Sequence, residues 1–313
     1  MTTRDLVRTE DFDRATAERI FDLAIRVKAQ TKARQYSNVL QGYTAAMIFQ
    51  KPSLRTRTTF DIGVKQLGGH SIYLGPSEIS MGERETVYDI ARNLERWVDL
   101  IIARVYAQEH VRELADVAAP PVINALSDEE HPCQVYADFL TLKEKGLRWD
   151  EIKLAYLGDG NNVCASLMVL GALLGIEMRI AGPKQYWPAQ NYVDLFQKLA
   201  SNSGAVLHIT EDPREAVREA NAVYTDIWAS MGWENEAAER SSKFRPYQLN
   251  TQLLTEAQKD AFVMHDLPAH RGEEITDEAM DSSNSIVFDQ AENRLHAQKA
   301  IILECMGFSD KFE

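Results

Sequence analysis

Ser53-Leu54-Arg55-Thr56-Arg57 places two guanidinium groups and two hydroxyls within five residues. The segment follows the apolar run 45–49 and precedes a stretch with helical spacing, 53–67. A helix N-terminus has unpaired backbone N–H groups and partial positive charge, so it attracts anions. Ser53 is placed as an N-cap. Arg55 adds a planar fork suited to phosphate or carboxylate. The chemistry implied is anion binding; a plain capped helix with solvated arginines is the alternative.

Further constellations lie downstream. His131 and Gln134, in His131-Pro132-Cys133-Gln134, offer side chains able to donate to a carbonyl oxygen or orient an amide. Gly158-Asp159-Gly160-Asn161-Asn162 follows an apolar run, but it lacks the full glycine fingerprint of a dinucleotide site. Asn162 there could bond a substrate carboxylate or amine. Asp226, at the end of a further apolar run, is followed by Ser230 and Met231. A carboxylate, a hydroxyl and backbone amides suit an amino-acid zwitterion, with Asp226 taking the ammonium. The run 264–274 is dense in titratable groups, among them His265, Asp266, His270, Arg271, Glu273 and Glu274. Arg294, in the segment opening the last helical stretch, adds a cation.

The elements positioning these residues alternate. Short apolar runs at 45–49, 71–74, 100–105 and 121–124 read as buried strands, with helical spacing between them. The alternation resumes with runs at 152–157, 176–181, 205–209, 222–226 and 262–265, and a closing helix covers 289–306. This pattern predicts an α/β fold of two doubly wound parallel-sheet domains bridged by helices. The expected boundaries are 1–147 and 148–289, with the helix from about 290 to 313 folding back onto the first domain.

Composition narrows the function classes. The 313 residues are 45% hydrophobic and 26% charged, ordinary proportions for a globular chain. The 34 Lys and Arg against 47 Asp and Glu give a net charge of −13, which disfavours nucleic-acid and anionic-membrane partners. An anionic substrate would therefore need a local cation cluster. No apolar run reaches membrane-spanning length, and no secretory leader is visible. Cys133, Cys164 and Cys305 have neither zinc-knuckle nor redox spacing, so buried thiols in a reducing cytoplasm are expected.

Taken together, in this order and spacing, these segments resemble the aspartate/ornithine carbamoyltransferase family. The resemblance covers nearly the whole chain. Residues 53–57 are similar to the family's carbamoyl-phosphate loop, and residues 131–134 to its His-Pro-x-Gln. Ser230-Met231-Gly232, Asn161-Asn162 and the run 269–274 resemble the ornithine branch. The resemblance implies carbamoyl-phosphate contacts at Ser53, Leu54, Arg55, Thr56, Arg104, His131, Gln134, Leu267 and Arg294. It implies ornithine contacts at Asn162, Asp226, Ser230, Met231 and Asp266. Arg55, Arg104, His131 and Asp266 would be the catalytic set. No metal or organic cofactor is implied. The expected assembly is a homotrimer, or a multiple of trimers, with the loop 75–85 carrying Ser80 or Arg84 to a neighbouring site.

The resemblance implies transfer of a carbamoyl group from carbamoyl phosphate to the δ-amine of L-ornithine. Other acceptors (putrescine, lysine, a modified ornithine) and a silent carbamoyl-phosphate-binding homologue are the rivals. Two departures bear on the acceptor. Asp266 stands where the branch usually has Cys, and Trp233 follows Ser-Met-Gly where Gln is common. A carboxylate beside the acceptor is a fixed anion near neutral pH and would raise the ammonium's pKa.

Overall fold

A computed structural model describes residues 4–82, 84–229 and 236–312. The chain forms two compact units, Met1–Leu140 with Glu292–Glu313, and Thr141–Ala291.

In the first unit the strands are β1 (Thr44–Phe49), β2 (His70–Leu74), β3 (Leu100–Arg104) and β4 (Val122–Leu126). They form one parallel sheet in the order β2-β1-β3-β4. β1 and β3 read as continuous apolar runs because both their faces are covered. Ile48, Ile101 and Ala103 pack with Val87, Ile90, Leu94, Val111 and Leu114 from helices. β2 lies at the sheet edge and alternates exposed with half-buried residues.

The second unit has β5 (Lys153–Leu157), β6 (Glu177–Ala181), β7 (Val206–Thr210), β8 (Ala222–Thr225) and β9 (Phe262–His265). These form a parallel sheet in the order β7-β6-β5-β8-β9. Two α/β parallel sheets are what the alternating apolar runs lead one to expect. The observed strands match the apolar runs to within two residues, and β9 coincides with its run. Asp226 falls one residue beyond β8.

Strand order fixes where loops converge. In the first sheet, the chain winds outward in opposite directions from β1 and β3, so the switch point lies between them. In the second it lies between β5 and β8. Open parallel sheets bind ligands at the carboxyl ends of strands flanking such a point. The segments after β1 and β3 carry Ser53–Arg57 and end on Arg104; those after β5 and β8 carry Asp159–Asn162 and Asp226.

Among the described residues no helix is long and apolar enough to cross a membrane. The three cysteines are buried and unpaired. Burial pushes the Cys133 thiol up to about 12, which keeps it protonated and unreactive.

Candidate active site

The first unit builds a cluster of cations around one hydroxyl. Thr56 lies in the first turn of the helix Leu54–Gln66 and is 1% exposed. Its Oγ1 accepts from Arg294 Nη2 at 2.7 Å and from Arg104 Nη1 at 3.3 Å. A hydroxyl has two acceptor lone pairs and one proton. With both lone pairs engaged, Thr56 can meet a ligand only as a donor. Ser53 holds the N-cap position with extended backbone, but its hydroxyl makes no capping bond. Arg55 is half-buried, whereas Leu54 is 77% exposed. Arg57 turns away and stacks over the Tyr73 ring, 3.7 Å from its centroid.

His131 and Gln134 come from the start of the helix Pro132–Glu144, where Pro132 is suited to the first helical position. The preceding turn is anchored from below. Buried Glu130 accepts from Thr9 N at 2.7 Å and Thr9 Oγ1 at 2.6 Å. His131 is 2% exposed. Burial, then Arg294, Arg104 and Arg55, holds its pKa well below the usual imidazole range. The ring is therefore neutral at physiological pH and can donate one N–H. Gln134 Oε1 accepts from Arg294 Nη1 at 2.8 Å, while its Nε2 donates to Asp138 Oδ1 at 2.8 Å. The amide is thus held in one orientation. Asp138 escapes a motif-based reading, although its i+4 position on Gln134's helix puts it on the same face.

Ser80 and Arg84 belong to the first unit's loop 75–85. Arg84 N donates to Ser80 O at 2.9 Å, and the Arg84 side chain is exposed.

The second unit gathers carboxylates. Asp226, 6% exposed, accepts from Asn161 Nδ2 at 2.6 Å and from Ile227 N at 2.7 Å. Asn161 Oδ1 in turn caps the helix Asn162–Leu174 through Val163 N and Cys164 N. Asn161 therefore bridges the switch point. Asn162 is half-buried beside it. Only Asn162 is an expected contact from sequence; the signal for Asn161 was the adjacent asparagine in the same motif. In this loop Gly160 serves close packing, whereas Gly158 supplies a φ of +143°. A Cβ on Gly160 would lie 2.3 Å from Pro188 N.

Asp226, His265 and Asp266 bring one ligand atom each within 4.8 Å of one another. Burial, and then the Asp266 carboxylate bonded to it, pushes the Asp226 carboxyl well above the usual range. The two acids share a proton, so the pair carries one negative charge rather than two. Burial opposes an imidazolium at His265, but hydrogen bonds to Asp266 and Glu274 outweigh it and raise the ring's pKa to about 9. The Leu267 N–H donates to His265 Nδ1 at 2.9 Å, and Glu274 Oε1 lies 3.0 Å from Nε2. A peptide N–H at Nδ1 needs a lone pair there, which works against that rise and favours the neutral ring with its proton on Nε2. Leu267 itself has φ +61°, a rare conformation for a branched residue that this bond helps to hold. A divalent cation on Asp226, His265 and Asp266 would have to displace that N–H. The second carboxylate and imidazole group, His270, Glu273 and Glu274, has Glu274 Oε1 already bonded to His270 N at 2.6 Å.

Thr56, Arg104, His131, Gln134 and Arg294 are thus brought together within the first unit. Asp226 and Asp266 meet within the second, which also contains Asn162 and Leu267. Ser230, Met231 and Trp233 lie outside the described residues.

Known proteins share this organisation. Residues 4–144 match the carbamoyl-P binding domain of the aspartate/ornithine carbamoyltransferases, and residues 150–305 match the Asp/Orn binding domain of that family. The chain is 48% identical over 304 residues to the ornithine carbamoyltransferase of Thermococcus kodakarensis, covering 97% of this chain and 96% of that protein. A catabolic ornithine carbamoyltransferase of Thermoplasma acidophilum is 44% identical over 98% of this chain and 100% of its own length. The solved ornithine carbamoyltransferase from Pyrococcus furiosus superposes with a TM-score of 0.94 at 45% identity, covering 98% of this chain and 99% of that one.

Proposed function

Because the chain belongs to the aspartate/ornithine carbamoyltransferase family, we infer that it transfers the carbamoyl group of carbamoyl phosphate to the δ-amine of L-ornithine, giving L-citrulline and phosphate. The observation that carries this reading is the Arg104–Thr56–Arg294–Gln134 cluster beside neutral His131. In a chain of net charge −13, such a cluster is what an anionic substrate requires.

The reaction needs a neutral amine. The ammonium first gives up a proton, for which the Asp226–Asp266 pair is the acceptor. The amine nitrogen then attacks the carbamoyl carbon, forming a C–N bond and a tetrahedral oxyanion. Collapse breaks the C–O bond to phosphate, which leaves with the electron pair and takes the second proton from the nitrogen. Thr56, Arg104 and His131 are donors for the oxyanion, the largest catalytic contribution expected. Arg55, Arg294, Ser53 and the Leu54 backbone at the helix N-terminus suit the phosphate. Gln134 and the Leu267 backbone suit the carbamoyl amide. Asn162, Ser230 and Met231 are assigned to the amino-acid end of ornithine. No metal or organic cofactor has a role in this scheme.

In domain terms, residues 1–147 with the closing helix from about 290 would bind carbamoyl phosphate, and residues 148–289 would bind ornithine. The working assembly is a homotrimer or a multiple of trimers in the cytoplasm, with Ser80 or Arg84 reaching a neighbour's site. Exposed apolar side chains in the first unit support burial against further copies: Leu54 at 77%, Trp97 at 68% and Tyr88 at 52%.

Purified protein with carbamoyl phosphate and chelator should form citrulline from ornithine in preference to putrescine or lysine. Robust turnover of putrescine with none of ornithine overturns the acceptor assignment. Ligand binding without any ureido product overturns the enzyme assignment.

A further inference from the structure

We propose that Arg240 is a positioning residue for the amino-acid half of the site, an inference resting on the transfer reading above. Arg240 lies on the helix Ala237–Phe244, in no motif that the sequence singles out, yet it is 4% exposed. Its Nη1 donates to Asp159 Oδ2 at 2.6 Å and to the Trp228 carbonyl at 3.2 Å. Its Nε donates to Glu236 Oε2 at 3.1 Å. The guanidinium also stacks on Tyr186, 4.6 Å from the ring centroid.

Asp159 belongs to the loop after β5, and Trp228 to the loop after β8. One guanidinium therefore ties together the two loops that flank the second sheet's switch point. Between the same loops runs the Asn161–Asp226 hydrogen bond. Tyr186 completes the brace, since its carbonyl accepts from Gly160 N at 2.8 Å while its ring carries the cation. Arg240 thus acts on Asp226 and Asn162 through Asp159 and the Trp228 backbone, not by touching substrate. Its planar fork and flat face are both used, which a lysine cannot reproduce.

Arg240→Met should raise the KM for ornithine about tenfold or more, because small displacements of positioning groups are costly. The KM for carbamoyl phosphate should stay within about twofold, since its proposed side-chain contacts lie in the other unit. Arg240→Lys should recover part of the loss by pairing with Asp159 alone. The single Met variant strands a buried carboxylate, so the double variant Asp159→Asn/Arg240→Met is needed to separate positioning from folding. Steady-state kinetics, thermal melts and direct ornithine binding by calorimetry would be measured on all three and on wild type. A double variant that melts near wild type but keeps the raised ornithine KM and Kd supports the proposal. Wild-type ornithine KM and Kd in the folded double variant and in Arg240→Lys overturn it, as do parallel rises in KM for both substrates. Wild type that binds ornithine without making citrulline refutes the transfer reading, while the Kd comparison still decides the role of Arg240. Wild type that binds no ornithine refutes both.

Discussion

Replacing Asp266 by Asn or Cys tests the acidic pair directly. Asp226 and Asp266 lie with carboxylate oxygens within 4.8 Å, both largely buried. Two full charges at that separation repel by roughly 3.5 kcal/mol at an effective dielectric of about 20. Together with burial, this repulsion is what keeps a proton on the pair. Asp266 is therefore one of a pair that holds a proton, with the rise falling on the Asp226 carboxyl. As pH rises and the shared proton leaves, a second negative charge becomes available to an ornithine ammonium. An ammonium held at about the same distance would gain a like amount, and if relaxation and water halve it the gain is about ten- to twentyfold in KM. Wild-type KM for ornithine should accordingly fall with rising pH. In Asp266→Asn it should stay flat over that range and end higher, with the alkaline limb of kcat moved to lower pH because the ammonium is less stabilised. Stability has its own sign. The folded pair holds a proton that the unfolded chain releases at ordinary carboxylate pH, so wild type loses stability as pH rises through the pair's titration. Asp266→Asn should shrink that loss to the part that burial of Asp226 alone causes. The assay is a set of pH–rate profiles at saturating carbamoyl phosphate, with melts at each pH. Identical KM profiles in wild type, Asp266→Asn and Asp266→Cys would refute contact between Asp266 and the acceptor.

Arg55→Ala should lower kcat/KM about 10²-fold by removing a phosphate partner, whereas Arg57→Ala, stacked on Tyr73, should cost far less; equal effects in steady-state kinetics contradict the split. Gly160→Ala should destabilise by roughly 2–4 kcal/mol, because its Cβ would lie 2.3 Å from Pro188 N, and an unchanged denaturant midpoint counts against that packing. Burial lowers the Lys299 amine to about 8, and its Nζ is bonded to Thr31 and Gln66. The unfolded amine keeps its proton to about 10.5, so this residue's contribution to stability rises from pH 8 to 10.5, by on the order of 1–2 kcal/mol after solvent screening. Lys299→Met should abolish that rise in melts taken across the range. Light scattering should give a trimer or a multiple of it; an active monomer would contradict the assembly.

Local residue order was enough for the alternating apolar runs, and hence for two parallel α/β sheets, because strand and helix periodicities are properties of neighbouring residues. It was also enough to mark Ser53–Arg57 and His131–Gln134 as chemical segments, since a cap and a helix N-terminus are likewise local. What those segments touch was not local. Arg294 reaches Thr56 across 238 residues and Gln134 across 160, contacts set by which strands neighbour one another and where the last helix returns. Arg240 could not be marked from sequence, because nothing near it in the chain tells an inward guanidinium from a solvated one. Protonation shows the same divide. A histidine and two aspartates are visible in any sequence, but a pKa depends on burial and on charges a few ångströms away. Only the tertiary structure makes His131 neutral beneath three arginines and has Asp226 share a proton with Asp266.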